Sequence, residues 1–145
     1  MTMLTTMLAV SRRVEHVDTD ASGVVHFARY PSLLETAALE NLDRLGVGLA
    51  VLSEAGLDLA VTELAVRYLT PARFLDRVSV EIGVEHVGAV RFRLSGAVLR
   101  APDATPLVTG TLTFCAVDRA TGAASALPGR LKDLLKECRH HAAAG

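Results

Sequence analysis

The sequence predicts an α+β fold, an antiparallel sheet with one long apolar helix inserted after its first strand. Three observations predict it. A single alternating segment comes first. A stretch with three- and four-residue apolar spacing follows, and the spacing then switches to two for most of the remaining chain. The later alternating segments are divided by short clusters of Gly, Pro and Asp, as hairpin connections require.

In chain order, Met7 to Val17 alternates, with Leu8, Val10 and Val14 on one side and Ser11, Arg13 and Glu15 on the other, and predicts a half-buried strand. The run Asp18-Thr19-Asp20-Ala21-Ser22-Gly23 is a cluster of turn formers that ends it. A helix is predicted from Pro31 to Leu45, with Leu33, Leu34, Ala37, Ala38, Leu42 and Leu45 making a wide apolar face. Pro31 suits a first turn, because the N–H it lacks has no intrahelical acceptor there. Gly46 is the predicted stop, and Glu40 and Arg44 are spaced to pair on the wet side. A short helical turn is predicted between Gly48 and Gly56. Strands follow at Leu59–Leu69, ended by Thr70-Pro71, and at Arg77–Glu85, with a hairpin turn at His86–Ala89. Two more are predicted at Val90–Val98 and Val108–Val117, separated by a turn at Pro102-Asp103. Leu131, Leu134, Leu135 and Cys138 mark a short amphipathic helix. The predicted order is β-α-β-β-β-β-α.

The chain has 145 residues, 50% hydrophobic but only 4% aromatic, with no Trp. The length fits one domain over 1–145, and a chain of about 150 residues buries roughly 68–70% of its unfolded surface. High hydrophobicity and a net charge of −1 exclude a disordered chain. A pI near 6.5 argues against a nucleic-acid partner held by a basic surface. No membrane span is expected, since Glu54, Asp58 and Glu63 interrupt the most apolar stretch, Gly46 to Val66. Cys115 and Cys138 are far apart and form no metal or redox motif, which fits reduced thiols in a cytoplasmic protein. Met1 to Thr6 has no positive region and too short an apolar run for a signal peptide. The surplus of Ala, Val and Leu over aromatics exceeds what a monomer of this size obviously needs.

Nucleophile-elbow, zinc-protease and P-loop signatures are absent. Gly46-Val47-Gly48 is half of a dinucleotide fingerprint, but Val51 replaces the third Gly and the segment follows a helix, so it reads as a helix-ending turn. The informative segment runs from Asp18 to Tyr30. It places two carboxylates and a His between a strand and the N-terminal end of a buried helix. Backbone N–H groups at a helix start stabilise negative charge. A carboxylate there could serve as base or nucleophile on a carbonyl whose oxygen faces those groups. On spacing alone, Asp18 and Asp20 could equally be turn and capping residues.

The run D-T-D-A-S-G-V-V-H-F-A-R-Y, residues 18–30, followed by Leu34-Glu35, resembles the active-site segment of hot-dog proteins of the 4-hydroxybenzoyl-CoA thioesterase-like family. Tyr68-Leu69-Thr70-Pro71-Ala72-Arg73-Phe74-Leu75-Asp76 resembles that family's second recurring stretch. The resemblance implies a hot-dog fold, a sheet wrapped around a long central helix. It implies Asp20 as catalytic carboxylate, acting as base or nucleophile, and the backbone N–H of Phe27 as the group that polarises a thioester carbonyl. Gly23 would allow close backbone approach, and Val25 and Tyr30 would contact substrate. A thioester suits so spare a site, because thiolate leaves easily. Several bacterial members carry a His where Phe27 stands, whereas here the His is one place earlier. His26 could therefore orient substrate or water, or be a packed imidazole with a single hydrogen bond.

Other candidates are more ambiguous. Glu35, on a helix row with Leu39 and Leu42, and Glu63, amid apolar strand neighbours, could be a second acid or substrate contact, or simply paired flank residues. Arg73, Arg91 and Arg93 could bind the phosphates of coenzyme A or of an acyl-carrier protein, or only form a solvated face. His140 and His141 are expected in an exposed tail, and His16 and His86 have no visible partner.

The function that follows is hydrolysis of a small or medium acyl thioester of CoA or a carrier protein. Few aromatics favour an aliphatic acyl group. No cofactor or metal is implied. The alternatives are a hydratase or dehydratase on an enoyl thioester, using Asp20 and His26, and a non-catalytic acyl-binding scaffold. The resemblance also implies a dimer or dimer of dimers, with the apolar surplus divided between the subunit interface and an acyl channel beside the helix.

Overall fold

A computed structural model of the chain describes residues 6–144, with side chains described up to residue 139. The expectations for the N-terminal residues 1–5 and for the side chains of His140 and His141 lie outside these residues. Strand β1 spans Val10–Arg13 and is followed by a 3-10 turn at His16–Asp18. Helix α1 covers Arg29–Arg44 and the short α2 Leu49–Glu54. Strands β2 Leu57–Tyr68, β3 Arg77–Val87, β4 Arg91–Ala101 and β5 Thr105–Asp118 come next, and α3 occupies Gly129–Ala144. All strand pairings are antiparallel, in the order β1-β3-β4-β5-β2. The sheet curls around α1, which is the α+β hot-dog arrangement.

The expected order of elements holds, with several differences. β1 is shorter than its alternation, because Asp18 draws the chain into the 3-10 turn. Leu8, expected on the inner face, is exposed, whereas Val14 is buried. The predicted Glu40–Arg44 pair does not form. Glu40 pairs instead with Arg12 of β1 at 2.7 Å, and Arg44 donates to the Asn41 side chain and the Thr6 carbonyl. The four later strands are not all successive hairpins. β2 pairs with β5, so residues 69–76 cross from one side of the sheet to β3, beside β1. That crossover passes under the segment before α1.

Helix α1 ends in a Schellman motif. Gly46 sits at φ +81°, its N–H donates to the Asp43 carbonyl, and the Val47 N–H donates to Leu42, both at 3.0 Å. Leu34, Ala37, Ala38 and Leu42 are fully buried against the sheet. Leu34 fits there because Gly96 of β4 and Gly110 of β5 are cross-strand partners beneath it. A Cβ at Gly96 would lie 2.6 Å from the Leu34 side chain, and one at Gly110 would lie 2.5 Å from the Ala65 carbonyl oxygen. Beside them Phe92 and Phe114, also directly paired, stack with centroids 5.3 Å apart.

The two edges of the sheet differ. β1 is four residues long. β2 is twelve residues long, bulged between Val61 and Glu63, and leaves Val61, Leu64 and Tyr68 exposed. A long apolar edge is an uncovered pairing surface.

Candidate active site

The loop from Asp18 to Ala28 is tied down before it reaches the helix. Asp18 is buried, and each of its carboxylate oxygens is used. Oδ2 accepts the Glu15 N–H at 2.8 Å, and Oδ1 accepts Nε and Nη2 of Arg29 at 2.9 and 2.8 Å. The Asp18 carbonyl accepts the His26 N–H at 2.9 Å. One residue thus joins the exit of β1, the approach to the helix and its first residue. Of the two carboxylates in the motif, Asp18 is the one with both oxygens bound within the fold.

Asp20 is exposed. Its Oδ1 accepts the Ser22 N–H at 2.8 Å in an Asx turn, and its Oδ2 has no partner among the described residues. The loop tip turns at Gly23, whose φ of +79° is left-handed. The crossover supports it from below. The Gly23 carbonyl accepts the Phe74 N–H at 3.2 Å, and the Val25 N–H donates to the Ala72 carbonyl at 2.8 Å. Arg73 forms a β-bridge with Val24, its N–H donates to Asp76 Oδ2, and its exposed guanidinium has no partner among the described residues. Arg100 holds the crossover by an ion pair to Asp76 and a hydrogen bond to the Pro71 carbonyl.

At the helix start, the Arg29 N–H donates to the His26 carbonyl at 2.9 Å, and the Ala28 N–H donates to His26 Nδ1 at 3.1 Å. The Phe27 N–H donates to no group among the described residues. In the Ala28 contact Nδ1 of His26 is the acceptor, and its ring is exposed, stacked on Phe27 at 4.5 Å. His26 is not a core imidazole; its one hydrogen bond is to its own turn. The Phe27 side chain is 65% exposed.

Two tyrosines close the site on the β2 side. The Tyr68 hydroxyl donates to the Phe27 carbonyl at 2.9 Å. Tyr30 is buried, accepts the Ala72 N–H at 3.0 Å, and packs edge-on against Tyr68. Burial raises the Tyr30 pKa against the opposing Ala72 hydrogen bond, so its phenol stays neutral. Val25, Phe27, Tyr30, Tyr68, Leu69, Thr70 and Pro71 line an open cleft of about 260 Å³.

The remaining sequence candidates are scattered. Glu35 lies further along α1, half-buried and without a partner among the described residues. Glu63 lies on β2 five residues from Tyr68, about 17 Å along the strand. It lines a different cleft, with His86, Arg91, Arg93 and Thr113. His16 packs edge-on to Phe74 at 6.2 Å. Among the described residues, no group of three or more His, Cys, Asp or Glu could hold a metal, and no helix is long and apolar enough to cross a membrane. Sequence reasoning missed the roles of Tyr68 and of the Asp18–Arg29 pair. Tyr68 was visible as the first residue of the second stretch, but its partner is a backbone carbonyl, which no side-chain pattern reveals.

Comparison with known proteins bears on the family and the fold. The model of the thioesterase-like superfamily matches residues 14–135. The Synechocystis protein sll0410 is 34% identical over 110 residues, covering 76% of this chain and 66% of its own. A 1,4-dihydroxy-2-naphthoyl-CoA hydrolase from Thermosynechococcus vestitus is 38% identical over 85 residues, 58% of each chain. The chain thus spans somewhat under two thirds of these two relatives. The crystal structure of a 1,4-dihydroxy-2-naphthoyl-CoA thioesterase from Synechocystis superposes with a TM-score of 0.82, covering 88% of this chain and 94% of that one at 21% identity, a likeness of fold. With the family model spanning most of its length and the curled sheet closed around α1, the chain belongs to the thioesterase-like superfamily.

Proposed function

We propose that the protein hydrolyses acyl-CoA thioesters. The observation that carries this reading is the unpaired N–H of Phe27, in a turn whose neighbouring N–H groups are bonded, at the start of the buried helix and on the same loop as the exposed Asp20 carboxylate. A thioester oxygen facing the Phe27 N–H gains a donor as it becomes negative, and the helix start adds its positive end. Asp20, through its free Oδ2, takes a proton from water as the water adds to the carbonyl, or adds to it directly. The C–S bond then breaks and the thiolate leaves and is protonated; on the direct route water then cleaves the Asp20–acyl anhydride, so that on either route the products are the free acid and free thiol.

The acyl group is the second part of the proposal. Aromatics are few, but Phe27, Tyr30, Tyr68 and Phe74 all surround this loop, while Phe92 and Phe114 fill the core. The aromatic count therefore carries no argument for an aliphatic chain, and the rim favours a flat aryl group. The name of the Thermosynechococcus relative, a naphthoyl-CoA hydrolase, supports the same choice. Val25 and Gly23 shape the loop, and Arg73, on the crossover beside it, is a cation available to CoA phosphates, whereas Arg91 and Arg93 line the other cleft with Glu63. Two buried free thiols, Cys115 and Cys138, fit a reducing cytoplasm.

A homodimer is part of this reading. The uncovered β2 edge and the exposed Val61, Leu64, Tyr68, Leu69 and Phe27 support a second copy closing the cleft, with Glu63 in the seam.

The test is free-thiol release across a panel of aryl-CoA, aliphatic acyl-CoA and acyl-carrier substrates, with enoyl absorbance followed in parallel. Asp20→Asn is expected to lower turnover at least about 10²-fold, with an unchanged melting temperature because the carboxylate is exposed. Near wild-type turnover in that variant removes Asp20 from the mechanism. Loss of enoyl absorbance without free thiol favours a hydratase.

A further inference from the structure

We infer that Tyr68 is a positioning residue for the carbonyl-binding N–H of Phe27: it holds the carbonyl end of the next peptide, Phe27–Ala28, and His26 holds the N–H end of that peptide. The inference rests on the thioesterase reading above and adds how that N–H is aimed.

The peptide joining Phe27 to Ala28 is held at both ends. Its carbonyl accepts the Tyr68 hydroxyl at 2.9 Å, and its N–H donates to His26 Nδ1 at 3.1 Å. The peptides on either side are also engaged. The His26 carbonyl of the preceding one accepts the Arg29 N–H of the following one, and one peptide further back the His26 N–H reaches Asp18. With its neighbours fixed, the Phe27 N–H is left without an acceptor among the described residues. Helix α1 offers no substitute for these contacts, since its N-cap, Ala28, makes no side-chain cap hydrogen bond. Tyr68 itself is rigidly placed. It ends β2 in register with Val108 of β5, and its ring packs edge-on against the buried Tyr30. The hydroxyl therefore reports the position of the sheet to the helix start. His26 acts as a local acceptor two residues upstream, which is the geometry of an Asx turn with an imidazole in place of an amide.

A donor held in place before the reaction stabilises developing charge without reorganising. Loosening it lowers turnover more than it weakens ground-state binding.

The experiment uses full-length protein and the best CoA thioester of the panel. Tyr68→Phe removes one hydroxyl. It is expected to lower kcat about 10-fold while KM stays within about two-fold. His26→Leu removes the other anchor and is expected to act similarly. His26→Asn keeps a side-chain acceptor for the Ala28 N–H and is expected to recover a large part of the His26→Leu loss. The double variant Tyr68→Phe/His26→Leu is expected to fall short of the product of the two losses, because both act on one peptide. Independently of turnover, the amide order parameters of Phe27 and Ala28 are expected to fall in Tyr68→Phe by nuclear magnetic resonance relaxation. An unchanged kcat, a rise in KM alone, or unchanged order parameters would overturn the inference. If the wild type releases no thiol from any substrate, the thioesterase reading fails instead, and the order parameters still decide whether Tyr68 holds the turn.

Discussion

Asp18 and Asp20 stand two residues apart and do opposite work. Both oxygens of Asp18 are consumed by Glu15 and Arg29, and the residue is buried. One oxygen of Asp20 stays free and the residue is exposed. Removing the Asp18 carboxylate leaves the Glu15 N–H and the Arg29 guanidinium without their acceptor. Arg29 is partly exposed and recovers water, so Asp18→Ala is expected to cost about 1–3 kcal/mol. Denaturant unfolding checks this, and Asp20→Ala is expected to cost far less. A different residue contributes to alkaline stability. Burial pushes the Cys138 thiol above its ordinary range. The folded protein then keeps a proton that the unfolded chain loses, so stability is full below about pH 8.5 and falls as pH rises through the raised value. A melting series from pH 7 to 10 should show that decline, and Cys138→Ala should flatten it.

At the scale of elements, helix α1 and the sheet approach each other closely because two glycines face each other across β4 and β5. The cost of filling those positions differs by what each new methyl meets. Gly96→Ala meets the end of the Leu34 side chain, which can rotate. Gly110→Ala meets the backbone carbonyl of Ala65, which is fixed in the β2–β5 ladder. Gly110→Ala is expected to destabilise by about 1–3 kcal/mol and Gly96→Ala by less, as overpacking costs depend on what can yield. Thermal melts of both variants check the order. The periodicity of α1 was legible in the sequence, as were Pro31 in the first turn and Gly46 at the end. The partner of Glu40 was not. Arg12 is far away in sequence and near only once β1 docks, so local i,i+4 spacing named the wrong cation.

For the whole molecule, the apolar surplus of the composition has a location. Many of the exposed apolar residues lie on β2 and around the site loop, namely Val61, Leu64, Tyr68, Leu69, Phe27, Phe74, Leu75 and Val17, while Leu8, Leu49 and Val51 lie elsewhere. The dimer proposed above is tested at this scale. Leu64→Glu places a charge on the open edge. It is expected to shift the protein to monomer in sedimentation equilibrium and to lower thiol release in proportion. A wild-type monomer that retains full turnover would refute the dimer.

By itself the sequence determined the order of elements, the long helix after the first strand, and the loop where chemistry was to be sought, since periodicity and turn residues are local properties of the chain. It also displayed the Asp18–Tyr30 motif that resembles the thioesterase family. Only the tertiary structure decided which aspartate is buried and which is free, that Glu63 lies far along β2 from Phe27, and that Tyr68 reaches the Phe27 carbonyl. The last depends on strand β2 joining β5 rather than β3, a pairing between residues distant in sequence. Alternation tells which face of a strand is apolar, but not which neighbour it will bond.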